Sequence, residues 1–255
     1  MSHWYLPDGT PFYEIEKLDK SGLRNVTLRD ARKKGAFPSV SGIIQQIGKP
    51  SLTRWLLLQL LNVVSKFKHW VNKEENWQDR LIQMSEVENS RFAQIGNQIH
   101  NMFEQYYLTG KVEPENESLV YPVIEYVQNE LTKPHKIIKF EVEKAFAHKD
   151  GYGGKIDLII HTEDGIIIVD FKTKHGKDLS EKKLYDDYKM QLAAYKNNFK
   201  GVLFCANILI SVDYPGEFYG HVWSEADMKK GTDMFYCLLN YWKLANNYNP
   251  TEETA

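Results

Sequence analysis

The stretch Ile166-Ile167-Ile168-Val169-Asp170-Phe171-Lys172-Thr173 carries more structural information than any other part of this 255-residue chain. A run so rich in β-branched residues predicts a buried strand. Because side chains alternate across a strand, we expect Asp170 and Lys172 on one face and Phe171 on the other, in the core. Two charged groups on so apolar a strand destabilise it unless something compensates their charge. A metal ion and a polyanionic ligand would do so.

An antiparallel partner strand is predicted just before this stretch, at residues 154–161. The sequence Glu163-Asp164-Gly165 between the two strands is a strong hairpin signal. Antiparallel pairing about this turn places Asp157 near Asp170 across the ladder. Two carboxylates that close repel each other unless a divalent cation sits between them or one is protonated. Carboxylate oxygens with room for water and phosphate suit Mg²⁺ or Mn²⁺.

Lys172 is predicted to stand beside this metal, on the same strand face as Asp170. There it could orient or deprotonate an attacking water, or offset the charge that builds on a phosphate. Phosphodiester hydrolysis requires a Lewis acid, an activated water and charge neutralisation. The paired strands therefore indicate a hydrolytic metal site.

Two regions of different character are predicted along the chain. Residues 1–132 are expected to form a hairpin-like start followed by an almost wholly helical lobe, which contributes His100. After Pro134, strands are expected at 137–147, 154–161, 166–173, 202–212 and 218–223, with helices at 180–199 and from Ser224 to about residue 246. This order predicts an α/β (α+β) fold, in which a mixed β-sheet is flanked by helices.

Four further side chains have both a structural and a functional interpretation. His100 is either a partly buried histidine on an amphipathic helix or an extra metal ligand. Gln191 and Tyr195 share one helix face. They either pack there or form a hydrogen-bonding pair that holds Lys172 or a substrate phosphate. Glu143, on the strand before the hairpin, is either an edge carboxylate in water or a group near the metal.

Four motifs follow one another along the chain. They are Gly96-Asn97-Gln98-Ile99-His100, Gly154-Lys155-Ile156-Asp157, Asp170-Phe171-Lys172 and Gln191-Leu192-Ala193-Ala194-Tyr195. Their order and spacing resemble the RecB-like branch of the PD-(D/E)XK nuclease superfamily. Within that branch, the chain resembles the mitochondrial genome maintenance exonuclease and related phage-encoded exonucleases. The resemblance covers about residues 37–246.

The resemblance implies a restriction-endonuclease-like nuclease core in residues 133–255. It implies metal binding by His100, Asp157 and Asp170, with the Phe171 carbonyl completing the set, and it makes Lys172 the catalytic lysine. The implied supporting residues are Gln191 and Tyr195, and Glu143 is a further acidic site residue. The motif that contains Asp157 begins with glycine instead of the Pro-Asp of the superfamily's name, as is usual for this branch.

Composition limits the function and the location. The formal net charge of −2 argues against a protein that coats duplex DNA without specificity, but not against a nuclease whose basic groups line a channel. Cys205 and Cys237 are expected to be reduced core thiols, and two cysteines cannot supply the four thiolates of the iron–sulfur cluster that some relatives hold. No long apolar stretch and no secretory signal are visible. We therefore expect no membrane partner and a cytoplasmic location in a bacterial or phage-infected cell.

These observations favour a Mg²⁺- or Mn²⁺-dependent exonuclease acting on single-stranded or end-containing DNA, in recombination, repair or phage DNA processing. The alternatives are a structure-specific endonuclease of the same fold and a non-catalytic nucleic-acid-binding protein. Ser39 or Ser41 is expected to cap a short helix, and both could touch substrate where the helical lobe admits a strand end. Aromatic residues interleaved with cations between residues 55 and 103 could add a stacking track, although aromatics more often build cores.

Overall fold

The computed structural model describes residues 3–73 and 75–252. The strands are β1 (Trp4–Tyr5), β2 (Glu14–Glu16), β3 (Leu23–Asn25), β4 (Phe37–Pro38), β5 (Ile137–His148), β6 (Tyr152–Thr162), β7 (Ile166–Lys174), β8 (Val202–Ser211) and β9 (Phe218–Trp223). The α-helices are α1 (Leu28–Lys34), α2 (Val40–Ile44), α3 (Pro50–Lys66), α4 (Trp77–Thr109), α5 (Glu117–Tyr126), α6 (Asp186–Lys196) and α7 (Glu225–Ala245). A π-helical stretch, Val127–Leu131, continues α5.

The central sheet has five strands in the order β5-β6-β7-β8-β9. Strand β6 pairs antiparallel with β5 and β7, and β9 pairs antiparallel with β8. Strands β7 and β8 are parallel, because α6 carries the chain back between them. The predicted mixed sheet with flanking helices is therefore confirmed, and each predicted strand lies within two residues of an observed one.

The run of apolar residues in β7 is buried because both faces of this strand are covered. Ile168 belongs to the core formed with α2, α6 and α7. On the opposite face, the ring of Phe171 stacks on Phe103 of α4 at 4.6 Å between centroids. A strand covered on both faces has a continuous apolar sequence in place of an alternating one. Phe103 is thus a core residue and not part of a surface stacking track.

Helices α6 and α7 approach each other closely at Gly231. A Cβ atom at this position would lie 2.9 Å from the carbonyl oxygen of Lys189 and 3.0 Å from the Cβ of Ala193. Helix α6 begins later than predicted, at Asp186, after a short 3₁₀ helix at Leu179–Glu181. The carboxylates of Asp186 and Asp187 lie in its first turn, where negative charge favours a helix N-terminus.

The predicted hairpin-like start forms, and β1 also pairs with a strand from farther along the chain. The predicted turn forms, since the Gly9 N–H donates to the Leu6 carbonyl at 2.8 Å. The Phe12 N–H donates to the Trp4 carbonyl at 2.8 Å, and Tyr5 forms an antiparallel bridge with Pro11. In addition, β1 pairs with β4, and β2 and β3 form a second local hairpin. Local sequence signals identified the turn but not the distant strand that β1 pairs with.

Contacts divide the chain into two compact units, one of Met1–Gln46 with Met102–Ala255 and one of Ile47–Asn101. In the second unit, Trp55 packs edge-on against Phe92 at 5.4 Å between ring centroids. The predicted division into functional domains at residue 132 stays a prediction. Among the described residues, no helix combines the length and apolar character needed to cross a bilayer.

Candidate active site

Asp157 and Asp170 occupy the positions directly beyond the end of the β6–β7 ladder, whose last pair is Leu158 with Val169. The carboxylate of Asp157 accepts a hydrogen bond from the Phe171 N–H at 2.8 Å. A side-chain carboxylate thus takes the place of a main-chain acceptor. This arrangement ties the acid of one strand to the backbone of the next.

Asp170 is a buried acid whose carboxylate contacts one cationic and one neutral donor. Its side chain is 1% exposed, and its Oδ2 atom lies 2.6 Å from Lys172 Nζ. The same oxygen accepts a hydrogen bond from Asn207 Nδ2 at 2.7 Å. Burying a carboxylate is costly unless it is paired and hydrogen-bonded, and Lys172 and Asn207 meet that requirement.

Asn207 and Trp223 form a relay of hydrogen bonds to Asp170 that the sequence analysis did not identify. The indole Nε1 of Trp223 donates to Asn207 Oδ1 at 2.7 Å. Asn207 is the parallel-ladder partner of Asp170 and is fully buried. The available signal was a lone amide in the otherwise apolar run Cys205-Ala206-Asn207-Ile208-Leu209 of β8.

Lys172 is a cation in this environment. Burial lowers its pKa, but the negative charges of Asp170 and Asp157 and the hydrogen bond to Asp170 outweigh burial, so the pKa lies above the ordinary lysine value. Its Nζ atom also lies 5.6 Å from the ring centroid of Tyr188. Without a bound cation, the two carboxylates thus favour the charged form of Lys172.

Gln191 and Tyr195 form the hydrogen-bonded pair that their spacing allows. Gln191 Nε2 donates to the Tyr195 hydroxyl at 2.8 Å. Burial, followed by the charges of Asp170 and Asp157, raises the pKa of Tyr195 well above its usual value. The phenol therefore stays protonated and neutral beside the two acids.

Close packing around Gly154 explains why the motif that contains Asp157 begins with a glycine. A Cβ atom here would lie 2.7 Å from the ring of Phe146 and 2.9 Å from the ring of Tyr195. These rings meet edge to face at 5.7 Å between centroids. The missing side chain lets Tyr195 pack directly over the β6 backbone.

Glu143 has an unusual backbone conformation in the middle of β5. Its φ angle is +50°, in the left-handed region that non-glycine residues rarely adopt. The pairs on either side of it, Val142 with Leu158 and Lys144 with Ile156, place Glu143 opposite Asp157. The two residues offer carboxylate oxygens within 4.8 Å of each other. Glu143 also forms an ion pair with Lys155.

The remaining predicted residues have these positions. His100 lies on α4, partly buried, near the end of the second unit. Ser39 is 3% exposed and is the N-cap of α2, since its hydroxyl accepts a hydrogen bond from the Gly42 N–H. The Ser41 hydroxyl lies 3.2 Å from that of Ser39. Metal binding by His100 and substrate contacts of either serine stay predictions.

The side chains around Asp157 fit a divalent metal ion. Glu143 and Asp157 offer carboxylate oxygens within 4.8 Å of each other, and carboxylates are hard donors that suit divalent cations such as Mg²⁺ and Mn²⁺. These two acids are close enough to repel each other without a cation. The chemistry of these donors is therefore compatible with a divalent cation, while the expected ligand set of His100, Asp157, Asp170 and the Phe171 carbonyl stays a prediction.

Residues 116–197 match the family model of the PD-(D/E)XK nuclease superfamily. The matched segment contains Glu143, Asp157, Asp170, Phe171, Lys172, Gln191 and Tyr195. The superfamily resemblance seen in the motifs is thus confirmed, and the mixed sheet is consistent with a restriction-endonuclease-like core. The match supports nuclease activity, and nucleases of this superfamily generally use divalent metal ions.

Solved structures with some similarity include the crystal structure of SSO0001, at 15% identity and a TM-score of 0.28, covering 74% of this chain and 86% of that one. Another is an alkaline exonuclease, LHK-Exo, from Laribacter hongkongensis, at 14% identity and a TM-score of 0.30, covering 60% and 81% of the two chains. Similarity at this level supports no argument about function. Among curated proteins, none matches this chain significantly.

Proposed function

Because residues 116–197 match the PD-(D/E)XK nuclease superfamily, we propose that this protein is a Mg²⁺- or Mn²⁺-dependent deoxyribonuclease. It acts as an exonuclease on single-stranded or end-containing DNA, in recombination, repair or phage DNA processing, in the cytoplasm of a bacterial or phage-infected cell. One observation carries the proposal: Asp170, buried in the sheet, lies 2.6 Å from Lys172 and on the strand next to Asp157.

The metal would be held by Asp157, Asp170, the Phe171 carbonyl and His100. When bound, a divalent cation supplies Lewis acidity to a phosphodiester and to water. In this proposal, residues 133–255 are the nuclease core and residues 1–132 are the lobe that contributes His100.

The protein groups around the metal ligands have separate tasks. Asn207 fixes one oxygen of Asp170, and Trp223 fixes the orientation of Asn207. Lys172, ion-paired with Asp170, orients or deprotonates the attacking water or offsets the negative charge that develops on the phosphate. Both roles considered for Lys172, activation of the attacking water and charge neutralisation, place its Nζ atom beside the metal-binding acid Asp170, from which it lies 2.6 Å.

Glu143, Gln191 and Tyr195 are assigned supporting roles. Glu143 adds negative charge beside Asp157, and its ion pair with Lys155 limits the repulsion between the two acids. The pair of Gln191 and Tyr195 packs a neutral polar group near Asp157 and Asp170. Backbone strain of the kind seen at Glu143 is found preferentially at functional sites.

The experiment uses labelled single-stranded oligonucleotides with one end blocked at a time, and circular single-stranded DNA, each with Mg²⁺, Mn²⁺ or EDTA. Cleavage only from an open end of linear DNA is expected. We expect Lys172→Ala and Asp170→Asn to reduce the rate by at least about 100-fold. Lys229→Ala, which removes an exposed lysine of α7, is the control and should cleave normally.

Three results would contradict the proposal in different ways. Cleavage of circular DNA would show an endonuclease. Binding of DNA without cleavage under any metal condition would show a non-catalytic binding protein. Equal cleavage rates for the wild type and Lys172→Ala would show that the assignment of the active site is wrong.

A further inference from the structure

A row of lysines and tyrosines extends from the acidic site along β7 and the start of α6. Lys172 Nζ lies 5.6 Å from the ring centroid of Tyr188. Lys174 Nζ lies 5.1 Å from the Tyr188 ring and 4.8 Å from the Tyr185 ring. Lys183 Nζ lies 5.7 Å from the Tyr185 ring. We call these five residues the lysine–tyrosine row.

The row has a defined beginning and an outer end. Its inner end is Lys172, which is ion-paired with the Asp170 carboxylate at 2.6 Å. Its outer end is Lys183, which is exposed, whereas Lys174, Tyr185 and Tyr188 are partly buried. The two rings meet edge to face at 5.6 Å between centroids, so they are held against each other. The row therefore connects the buried acid to the surface.

The local charge of this segment differs from that of the whole chain. Residues 172–189 contain six lysines and four acidic residues, although the chain carries a formal charge of −2. One of those acids, Asp186, is ion-paired with Lys189, which is not part of the row, at 2.8 Å. Asp187 contributes negative charge near Lys172. A net excess of positive charge remains beside the acidic site.

We propose that the lysine–tyrosine row is a track for single-stranded DNA, along which a strand end reaches Asp170. Lys174 and Lys183 contact phosphates, and a base packs on Tyr185. The inference rests on the proposed nuclease function and names the surface that holds its substrate.

The geometry of the row favours a single strand over a duplex. Lys172 and Lys174 are two residues apart on one strand face, which is about 6.6 Å. That is of the order of the separation between neighbouring phosphates in an extended strand. Rings interleaved with cations suit unpaired bases, whose faces are open to stacking, whereas a duplex keeps its base faces covered.

The test measures binding apart from cleavage. Fluorescence anisotropy of a labelled single-stranded oligonucleotide is followed in EDTA at several salt concentrations. We expect the Lys174→Gln, Lys183→Gln double variant to reduce the slope of log K against log salt by about 1.4, because each phosphate contact contributes about 0.7 for a single strand. The control Lys229→Gln removes one exposed lysine of α7 and should leave the slope unchanged.

Tyr185 gives a second, independent readout. Tyr185→Leu should raise the Kd for the single strand about tenfold with an unchanged salt slope, because stacking and not charge is lost. Tyr185→Phe keeps the ring and should bind as the wild type does. An equal loss of duplex binding in Tyr185→Leu would overturn the preference for a single strand.

Failure of this inference can be told apart from failure of the nuclease proposal. If the lysine and the tyrosine variants both bind the oligonucleotide with the affinity and salt slope of the wild type, the row does not bind single-stranded DNA. This conclusion holds whatever the cleavage results. A wild-type protein that binds through the row but never cleaves would contradict the proposed nuclease and support the track. Circular dichroism of each variant verifies that the fold is intact, and the exposed Lys183→Gln alone keeps the test available if another variant unfolds.

Discussion

The Phe171 N–H donates to the Asp157 carboxylate at 2.8 Å, so this acid serves the sheet as well as the proposed metal site. Asp157→Asn keeps an acceptor oxygen but removes the charge, whereas Asp157→Ala leaves a buried N–H without its acceptor. We expect Asp157→Ala to lose about 1–3 kcal/mol of unfolding free energy and Asp157→Asn much less, while both lose nuclease activity. Urea denaturation and the cleavage assay measure the two effects. Equal destabilisation by both substitutions would show that the hydrogen bond does not stabilise the fold.

The hydrogen-bond relay from Trp223 through Asn207 to Asp170 predicts that substitutions nearer Asp170 cause larger losses of metal binding or activity. Asn207→Ala should weaken Mn²⁺ binding or activity about 10–100-fold, since it frees the orientation of a metal-binding acid. Trp223→Phe removes only the outer donor and should have a smaller effect of the same kind. Isothermal titration with Mn²⁺ checks the order. A larger loss in Trp223→Phe than in Asn207→Ala would contradict the relay.

Gly154 predicts a packing defect on substitution. In Gly154→Ala, the new Cβ atom would press against the rings of Phe146 and Tyr195, at 2.7 Å and 2.9 Å in the present geometry. Overpacking of this kind costs about 1–3 kcal/mol of unfolding free energy. The matched control is Gly48→Ala, where no heavy atom lies within 4 Å of the added Cβ. Similar urea midpoints for the two variants would show that the sheet yields to the larger residue.

Asp30 gives a pH-dependent contribution to stability. Hydrogen bonds from Arg24, and then from the side chain and backbone of Thr27, hold the pKa of Asp30 well below its usual value. A depressed pKa in the folded state contributes stability above the unfolded pKa of about 3.9, and this is lost as the pH falls through the folded value. Asp30→Asn should therefore lower the urea midpoint at pH 7 and make a smaller difference near pH 2.

The control for this prediction is Glu16→Gln, which removes an exposed acid from β2. Its urea midpoint should differ little from that of the wild type at pH 7. An Asp30→Asn effect of constant size from pH 7 to pH 2 would mean that the capping box, and not the charge, is what stabilises α1.

Local sequence was sufficient to predict the two strands that carry Asp157 and Asp170. The β-branched run of β7 and the Glu163-Asp164-Gly165 turn are short-range signals, and counting residues across that hairpin places Asp157 beside Asp170. Local sequence also limited the cap of α2 to Ser39 or Ser41, and the structure has Ser39 in that position.

Nonlocal pairing was not predictable in the same way. Asn207 meets Asp170 only because β8 runs parallel to β7, and the register of a parallel pair is set by packing of the crossover helix and not by a turn. The left-handed backbone of Glu143 has no sequence signature, because residues other than glycine adopt it only when their surroundings enforce it. Cys237, expected in the core, is exposed, while Cys205 is buried and burial raises its thiol pKa to about 12.

The indole of Trp223 gives this site a built-in optical reporter. The indole N–H donates a hydrogen bond to Asn207, and Asn207 donates one to Asp170. A change of charge at Asp170 therefore alters the surroundings of the Trp223 indole. The chain has six tryptophans, so the difference between wild-type and Trp223→Phe emission spectra isolates this signal. Binding of Mn²⁺ or Mg²⁺ at Asp157 and Asp170 should then change the intrinsic fluorescence of unlabelled protein.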